Sequence, residues 1–346
     1  MKILLCVNSD IGRGNTIGTR IEKVARRLKN KTIIARANYS NLKVETPWYR
    51  NYLARILNAL RMYLFPGLNF RSLDMSLFDS FVLKQLKGNC DFDIAHIGEF
   101  IPRSIKYLKK KGVKVFLDIP IALYNEKSDR IKESIELADV LIVPSPFVKE
   151  SVSHFNKETR VVPFGVEKRN IEKKYFRDNK ISYLFAGSVN KRKGIPLLIE
   201  AWKELDLKKA ELIICGRIYK EIKKRNTQNM KFKGFVRNMD PIWRRSDVFL
   251  FPSNLEGSAK VVYEAMSYGL PVITTYNAGS VVENGKEGFI IPAGDKEALK
   301  EKILFFYNNK NEIKEMGEKA KKKADQYSWE SYAEKVIEIY EANIFN

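Results

Sequence analysis

Short apolar runs alternate with longer segments of helical periodicity along most of the chain. The runs are rich in β-branched and aromatic residues and are bounded by Gly, Pro or Asn, which is typical of strands buried in a parallel sheet. Strands that alternate with helices predict βαβ units and an α/β fold of two doubly wound, Rossmann-like domains. The predicted strands cover residues 2–7, 32–37, 91–97, 113–119, 138–145, 181–187, 210–216, 230–236 and 248–252.

One stretch, FPSNLEGSAKVVYEAMSYGLPVI at residues 251–273, combines a strand end, a loop, a helix and a second strand. Pro252 stops the first strand, and the apolar residues recur at helical spacing until Gly269 ends the pattern. Ligands of open parallel sheets bind at the carboxyl ends of the strands. We therefore expect the loop at residues 254–258 to lie at a substrate site.

Two carboxylates belong to this stretch, Glu256 in the loop and Glu264 in the helix, with the helix start between them. A helix N-terminus attracts phosphate, and a carboxylate accepts hydrogen bonds from hydroxyl groups. Either glutamate alone fits a solvated surface acid better. Their coincidence with a helix start favours a site for a phosphorylated sugar or nucleotide.

A second loop follows the predicted strand at residues 181–187. It contains Gly187 and then Lys191, Arg192, Lys193 and Gly194, ahead of a predicted helix. Ammonium and guanidinium groups beside helical N–H groups make an anion site. A solvated basic turn is the competing interpretation in so basic a chain.

The carboxylate stretch resembles the E-x7-E motif of retaining glycosyltransferases of the GT-B fold, specifically family 4, the glycosyl transferases group 1. In this sequence the motif is Glu256-Gly257, Val261, Glu264-Ala265-Met266 and Gly269-Leu270-Pro271-Val272-Ile273. The resemblance implies that Glu256 faces the donor sugar and that Glu264 holds the ribose. The segment Ser258-Ala259-Lys260 departs from the commoner Phe-Gly-Leu type.

The basic loop resembles the family's Gly-Arg-Leu-x-x-x-Lys-Gly pattern at Gly187, Lys193 and Gly194. Ser188 stands where the pattern has an arginine, and we expect Arg192 to compensate for it. The resemblance thus implies Glu256 and Lys193 as catalytic residues. It implies that the donor contacts Glu264, Ser188, Gly187, Gly257, Ser258, Ala259, Lys260, Gly216 and Val236, to which we add Arg192. Gly12 and Gly14 belong to a Gly-rich loop that faces the cleft in the family, and a flexible strand-to-helix turn explains them at least as well as a phosphate or acceptor contact.

The resemblance also implies the domain organisation, with two domains facing each other across a cleft. It predicts an acceptor-binding domain at residues 1–166, a donor-binding domain at 167–327 and a helix at 328–346 that crosses back to the first domain. The segment at residues 161–167, VVPFGVE, resembles the one that closes the first domain of the family. The Lys- and Arg-rich stretch at residues 168–180 is interpreted as the linker.

The implied activity is transfer of a hexose from a nucleotide-diphosphate sugar, with UDP or GDP as the expected nucleotide, to a saccharide or lipid-linked acceptor with retention of configuration. No cofactor and no metal are expected, because Asp91-Phe92-Asp93 opens a strand instead of following one. Asp118 lies where many relatives carry a histidine. A nucleotide-sugar epimerase and a non-catalytic membrane- or nucleic-acid-binding scaffold remain the alternatives.

Charge adds one further hypothesis, because the formal net charge is +21 and its excess is concentrated in the first 87 residues. No acidic residue occurs between Glu45 and Asp74, whereas four arginines and several aromatic residues do. This segment fits an amphipathic basic helix on an anionic membrane surface and fits a helix packed on its own sheet about equally well. No nucleic-acid motif accompanies the charge, so nucleic acid is not expected as a partner.

The remaining composition points to an intracellular location. The first apolar run is too short for a signal peptide, and no run of apolar residues is long enough to span a membrane. The three cysteines, Cys6, Cys90 and Cys215, are too few and too widely spaced for a disulfide framework or a zinc site. A cytoplasmic protein is expected, with peripheral attachment to the inner face of the membrane as the alternative.

Overall fold

The computed structural model describes residues 1–11, 16–38, 40–47, 71–124, 127–171, 173, 175–176, 180–222 and 229–344. These residues form two compact units. Unit 1 contains residues 1–143, 149–162 and 332–346, and unit 2 contains residues 144–148 and 163–331. Both units are α/β, as the sequence pattern predicts.

Unit 1 contains a parallel sheet in the order β2-β1-β3-β4-β5-β6. The central strands of this sheet are buried on both faces, because helices cover a doubly wound sheet on each side, whereas the edge strand β6 is partly exposed. The strands are β1 (Ile3–Ile11), β2 (Lys31–Asn38), β3 (Ile94–Ile97), β4 (Lys114–Asp118), β5 (Val140–Val143) and β6 (Glu158–Val161). The helices in this part of the chain are α1 (Thr16–Arg27), α2 (Arg71–Gly88), α3 (Pro102–Lys110), α4 (Asp129–Leu137) and α5 (Pro146–Ser151).

Unit 2 contains a second parallel sheet in the order β12-β11-β10-β7-β8-β9. Its strands are β7 (Ile181–Ala186), β8 (Ala210–Cys215), β9 (Met230–Gly234), β10 (Val248–Phe251), β11 (Val272–Thr275) and β12 (Gly288–Ile291). The helices in this part of the chain are α6 (Ile195–Leu205), α7 (Asp240–Arg245), α8 (Lys260–Ser267), α9 (Lys296–Asn308), α10 (Lys310–Ala324) and α11 (Trp329–Ala342). Helix α11 belongs to unit 1 from Tyr332 onward.

The order of the second sheet reverses between β7 and β10. If the six strands are numbered from β7, the order is that of the dinucleotide-binding fold, in which consecutive strands run outward in both directions from the centre. The residues after β7 and β10 therefore leave neighbouring strands toward opposite sides. Such a switch point opens a crevice at the carboxyl edge of the sheet.

Helix α8 is amphipathic in the way that its sequence predicts. Val262, Tyr263, Ala265 and Met266 are buried, whereas Lys260 and Glu264 are not. The helix ends before Gly269-Leu270-Pro271, and β11 starts at Val272. Burial of the apolar face orients the opposite face, and with it Glu264, away from the core.

The Lys- and Arg-rich stretch at residues 168–180 packs against unit 2 at the residues that the structure describes. The ammonium group of Lys173 donates to the carbonyl oxygen of Trp243 at 2.9 Å, and the hydroxyl of Tyr175 donates to that of Gly269 at 2.9 Å. Our interpretation of the stretch as a plain linker is therefore incomplete, because these side chains satisfy carbonyl groups at the ends of α7 and α8.

Candidate functional site

The two loops that the sequence singled out follow β7 and β10, the neighbouring strands at the switch point of the second sheet. Residues 187–194 continue β7, and residues 252–259 continue β10. The crevice of a doubly wound sheet lies at this position. The topology therefore brings the basic loop and the carboxylate loop together.

The basic loop is closed by a short 3-10 turn at Lys191–Lys193. The side-chain oxygen of Asn190 accepts a hydrogen bond from the backbone N–H of Lys193 at 3.1 Å, which caps the turn. Gly194 then adopts a φ of 72°, and a Cβ atom at this position would lie 1.9 Å from the carbonyl oxygen of Pro252. Only glycine permits this close approach of the two loops.

Backbone and amide contacts also join the two loops. The backbone N–H of Asn254 donates to the carbonyl of Arg192 at 2.9 Å, and its side-chain amide donates to the carbonyl of Lys191 at 3.1 Å. The guanidinium group of Arg192 donates to the carbonyl of Leu255 at 2.6 Å. The basic residues therefore lie at fixed positions relative to the loop that carries Glu256.

Three side chains donate hydrogen bonds to the same carboxylate oxygen of Glu256. Oε1 accepts from the ammonium group of Lys193, from Nη1 of Arg192 at 2.8 Å and from the hydroxyl of Ser253 at 3.1 Å. The side chains of Lys193 and Glu256 are each only 12% exposed, so the ion pair between them is only weakly screened by water, whereas the side chain of Arg192 is 43% exposed. The predicted catalytic pair is thus brought into direct contact.

Lys193 has an environment that disfavours its positive charge. Burial lowers the pKa of its ammonium group, the carboxylate of Glu256 opposes this effect, and Arg192 adds to the lowering, so the net direction is downward. The ammonium nitrogen also lies 5.0 Å from the ring centre of Phe251, which is a cation–π contact.

The carboxylate loop is anchored on its far side by residues that the motif does not contain. The backbone N–H of Glu256 donates to the carbonyl of Asn277 at 2.9 Å, and the hydroxyl of Ser145 donates to the carbonyl of Gly257 at 2.5 Å. A Cβ atom on Gly279 would lie 2.1 Å from that carbonyl oxygen. The loop is therefore held from both sides before any ligand binds.

Helix α8 begins at Lys260, and no side chain in the described part of the chain caps it. The N–H of Val262 already donates to the carbonyl of Ala259 at 2.8 Å, so the N–H groups of Lys260 and Val261 are the ones that the helix start offers to an anion, which the helix dipole attracts. The N–H of Ala259 is different, because it donates to the carbonyl of Ala278 at 2.9 Å. The hydroxyl of Ser258 is buried and hydrogen-bonded to the hydroxyl of Tyr263 at 2.9 Å. We predicted that Ala259 and Ser258 contact the donor substrate. The backbone N–H of Ala259 and the hydroxyl of Ser258 are instead hydrogen-bonded within the protein.

Glu264 lies one turn into α8 and is paired with Lys260, the two charged groups being 3.4 Å apart. Its side chain is 37% exposed. Both residues line a pocket of about 410 Å³ between α7 and α8, together with Asn238, Asp240, Trp243 and Tyr268. This volume lies within the range of small-molecule sites.

The ends of β7 and β8 approach each other closely at this edge, because a Cβ atom on Gly216 would lie 1.7 Å from the carbonyl oxygen of Gly187. The N–H of Gly216 donates to the carbonyl of Gly234 at 2.7 Å, and the N–H of Gly187 donates to that of Cys215 at 3.0 Å. Ser188 and Val236 follow directly and are partly exposed. The side chain of Phe235 is 78% exposed at the same edge. These predicted donor residues therefore share the carboxyl edge of the sheet with Lys193 and Glu256.

Other predicted features lie elsewhere. Gly12 and Gly14 lie outside the described residues, as does the arginine-rich segment at residues 48–70. Asp91 and Asp93 precede β3, which starts only at Ile94, and they contact Lys2 at the opposite, amino-terminal edge of the first sheet. Among the described residues, no group of three or more His, Cys, Asp and Glu could hold a metal ion.

Asp118, which we considered as a substitute for the family histidine, is fully buried in unit 1 together with His96. Its carboxylate is engaged by Arg20 and lies 3.3 Å from Nε2 of His96. A carboxylate enclosed in this way cannot contact a sugar from its present position. The substitution hypothesis is therefore not supported by the packing around β4.

Sequence reasoning named neither Ser253 nor Ser145 as a site residue, and it placed Asn277 only in a loop that lines the donor site in relatives of the family. Ser253 is fully buried, directly follows the strand-ending Pro252 and is hydrogen-bonded to Glu256. Its position at the end of a buried strand was a usable signal, because polar residues at such ends face the crevice. Asn277 comes shortly after the motif, whereas Ser145 is 112 residues from Gly257 in sequence, and only the folded chain shows that both hold the loop.

Comparison with known proteins supports the motif-based resemblance. Residues 166–323 match the family described as glycosyl transferases group 1. An uncharacterized glycosyltransferase of Methanocaldococcus jannaschii is 30% identical over 215 residues, which are 59% of this chain and 60% of that protein. The capsular polysaccharide biosynthesis glycosyltransferase CapM of Staphylococcus aureus is 30% identical over 186 residues, 48% of this chain and 49% of CapM. The matched part thus spans only about half to three fifths of these relatives.

Solved structures show that the fold is shared over the whole length. HepE of Anabaena, in complex with UDP, superposes with a TM-score of 0.73 at 15% identity over 99% of this chain and 100% of HepE. WaaG, a glycosyltransferase involved in lipopolysaccharide biosynthesis, superposes with a TM-score of 0.68 at 16% identity, covering 97% of this chain and 99% of WaaG. The prediction of a GT-B fold is confirmed.

Proposed function

Because the chain has the GT-B fold and residues 166–323 match the glycosyl transferases group 1, we propose that it is a glycosyltransferase that moves a sugar from a nucleotide-diphosphate sugar to an acceptor with retention of configuration. The observation that carries the proposal is the convergence of Lys193, Arg192 and Glu256 beside the start of α8, at the switch point of the second sheet. Such a site offers cations for a diphosphate and a carboxylate for sugar hydroxyls within one crevice.

The leaving group of this reaction is a nucleoside diphosphate, on which negative charge grows as the glycosidic bond breaks. Fixed cations and helix N–H groups lower the barrier when they are aimed at that charge in advance. Lys193, Arg192 and the first turn of α8 supply such groups on rigid loops. We assign them to the diphosphate, and we expect turnover to be insensitive to a metal chelator.

The two carboxylates take different roles in this proposal. Glu256 faces the donor sugar, holds its hydroxyls and favours the positively charged transition state. Glu264 binds the ribose, and the adjoining pocket of about 410 Å³ accommodates part of the nucleoside. A residue that contacts a remote, unreactive part of the substrate contributes mainly to binding.

The names of the relatives suggest the substrates. HepE was solved in complex with UDP, CapM belongs to capsular polysaccharide biosynthesis and WaaG to lipopolysaccharide biosynthesis. We propose UDP or GDP as the donor nucleotide and a saccharide or lipid-linked precursor of a cell-surface glycan as the acceptor. The acceptor is assigned to unit 1, as the family resemblance implies.

The test is a donor screen with the purified full chain. UDP- and GDP-sugars are incubated with and without saccharide acceptors, and both released nucleotide and sugar products are analysed. Release of nucleoside diphosphate with a new glycosidic bond of retained configuration, seen by NMR, supports the proposal. Sugar epimerisation without transfer would favour an epimerase, and no conversion of any donor would favour a non-catalytic scaffold.

Membrane association is a second and separate proposal. No helix among the described residues is long and apolar enough to cross a bilayer. The proposal rests on the sequence between Glu45 and Asp74, which is free of acidic residues and rich in arginine and aromatic residues. Each basic residue near an anionic surface contributes about 1 kcal/mol, so salt-sensitive binding to the cytoplasmic face is expected. Unchanged sedimentation with anionic vesicles after replacing Arg50, Arg55 and Arg61 by Glu would rule it out.

A further inference from the structure

The cations assigned to the diphosphate are paired with Glu256 in this structure. Lys193 and Arg192 both donate to its Oε1, and the hydroxyl of Ser253 donates to the same atom. Every side-chain hydrogen bond that the described residues make to this carboxylate goes to that one oxygen. Glu256 therefore accepts hydrogen bonds from the same side chains that a diphosphate would need to bind.

A bound diphosphate must compete with this carboxylate. The side chain of Lys193 has little room to move aside, because it is 12% exposed and lies over the ring of Phe251. Glu256 is equally constrained, since its backbone is fixed by Asn277 and its carboxylate by Ser253. A diphosphate that reaches Lys193 and Arg192 would thus lie beside a carboxylate, which costs binding free energy when little water screens the two charges.

An intact nucleotide sugar can offset this cost, whereas a bare nucleoside diphosphate cannot. The sugar carries hydroxyl groups next to the diphosphate, and these can donate hydrogen bonds to Glu256 while its cations also bind the phosphates. The nucleoside diphosphate that remains after transfer has no such donors at that end. The same carboxylate therefore acts differently on substrate and on product.

We propose that Glu256 is the residue by which the site discriminates between the nucleotide-sugar donor and the nucleoside-diphosphate product: it competes for Lys193 and Arg192, weakens product binding and so promotes product release. This inference rests on the proposed glycosyltransferase function for its substrate. Its physical core, competition between a carboxylate and a diphosphate for two cations, can be measured with inorganic pyrophosphate alone.

Glu264 is the matched comparison within the same unit. It is also a carboxylate with a lysine partner, but its one ion pair among the residues that the structure describes is longer, 3.4 Å to Lys260, and its side chain is 37% exposed. Water can solvate Glu264 when its lysine moves, and neither Lys193 nor Arg192 contacts it. Neutralising Glu264 releases only Lys260, so any gain in affinity for pyrophosphate should be well below that of Glu256→Gln.

The experiment measures dissociation constants by titration calorimetry for pyrophosphate, UDP and GDP. The proteins are the wild type, Glu256→Gln, Glu256→Asp and Glu264→Gln, each checked by thermal melting. We expect Glu256→Gln to bind pyrophosphate and the preferred nucleotide about tenfold more tightly. Glu256→Asp, which keeps the charge, should show little or none of this gain, and Glu264→Gln should gain clearly less affinity for pyrophosphate than Glu256→Gln.

Unchanged or weaker binding of pyrophosphate by folded Glu256→Gln would overturn the inference, as would an equal gain in Glu264→Gln. The outcome is separable from that of the donor screen. If Glu256→Gln binds pyrophosphate more tightly but the wild type turns over no donor, the charge competition is supported and the proposed glycosyltransferase activity is rejected. If the wild type turns over a donor but Glu256→Gln does not bind pyrophosphate more tightly, the glycosyltransferase activity is supported and the proposed role of Glu256 in distinguishing donor from product is rejected.

Discussion

Nη2 of Arg20 lies 2.6 Å from Oδ1 of Asp118, and both side chains are completely buried in unit 1. Nε of the same guanidinium donates to the hydroxyl of Tyr332 at 2.8 Å, and His96 approaches the same carboxylate oxygen. The pair therefore joins α1, β3 and β4 to the part of α11 that belongs to unit 1. Its role is to hold that unit together.

Asp118→Asn should destabilise unit 1, because it leaves the charge of Arg20 buried without its counter-ion. Loss of one partner of a buried ion pair typically costs about 3 kcal/mol. Urea denaturation of the full chain measures the free energy of unfolding. Asp91→Asn is the control, since Asp91 is 74% exposed and should change stability by less than about 0.5 kcal/mol. Equal effects of the two substitutions would contradict the assignment.

The same pair makes stability depend on pH. Burial raises the pKa of Asp118, but Arg20 and His96 outweigh burial, so its pKa is held below the usual 3.8. A carboxyl with a lowered pKa stabilises the folded state above pH 3.8, and this contribution is lost as the pH falls through the folded-state pKa. The difference in stability between wild type and Asp118→Asn should accordingly shrink in that acidic range.

Lys193→Ala and Glu256→Ala should each lower the turnover number by about a hundredfold or more. The first removes a cation from the leaving diphosphate, and the second removes the carboxylate at the sugar. Steady-state nucleotide release with the donor found in the screen is the measurement. Lys208→Ala serves as the control because its side chain is 79% exposed and lies on a different loop. Near-normal turnover of Glu256→Ala would reject the proposed mechanism.

Glu264→Gln should act on binding instead of on turnover. The ribose is far from the bond that breaks, so losing its partner weakens substrate and transition state alike. We expect the KM for the donor to rise about tenfold while kcat stays within about twofold of the wild type. A large fall in kcat at saturating donor would show that Glu264 contributes to the chemical step.

As the pH rises, activity should begin to fall at a lower pH than it would if Lys193 had the pKa of an ordinary lysine. Burial lowers the pKa of Lys193 below 10.5 despite the opposing effect of Glu256, and only the ammonium form can stabilise the diphosphate. As pH rises through this lowered pKa, the cation is lost and kcat/KM declines. Lys193→Arg keeps its charge at higher pH and should move the alkaline limb upward. If the alkaline limb does not move in Lys193→Arg, the limb reflects the titration of another group.

Ser253→Ala should lower kcat about tenfold with little change in the donor KM, because the hydroxyl orients Glu256 without reaching the ligand. Ser246→Ala is the control, since Ser246 is equally buried but bonds to the carbonyl of Ile242. Both variants should lose similar stability. If they also lost similar activity, the effect of Ser253 would be structural and not one of positioning.

Much of the fold could be predicted from the sequence, because burial on both faces leaves continuous apolar runs that are easy to recognise. The predicted strands all correspond to observed strands, and only their ends differ. The run at residues 230–236 ends as a strand at Gly234, and the run at 91–97 becomes a strand only from Ile94. Pairing with a neighbouring strand fixes these ends, and a single sequence does not contain that information.

The candidate site divides in the same way. The sequence by itself determined that Glu256, Glu264 and the basic loop lie at strand and helix ends, since local patterns and motif spacing are enough for that. Only the tertiary structure decided that Lys193, Arg192 and Ser253 meet on one oxygen of Glu256, because strand order brings β7 beside β10 across more than 60 residues of chain. It likewise decided that Asp118 is enclosed by Arg20 and His96, as burial depends on which elements pack together and not on the residue itself.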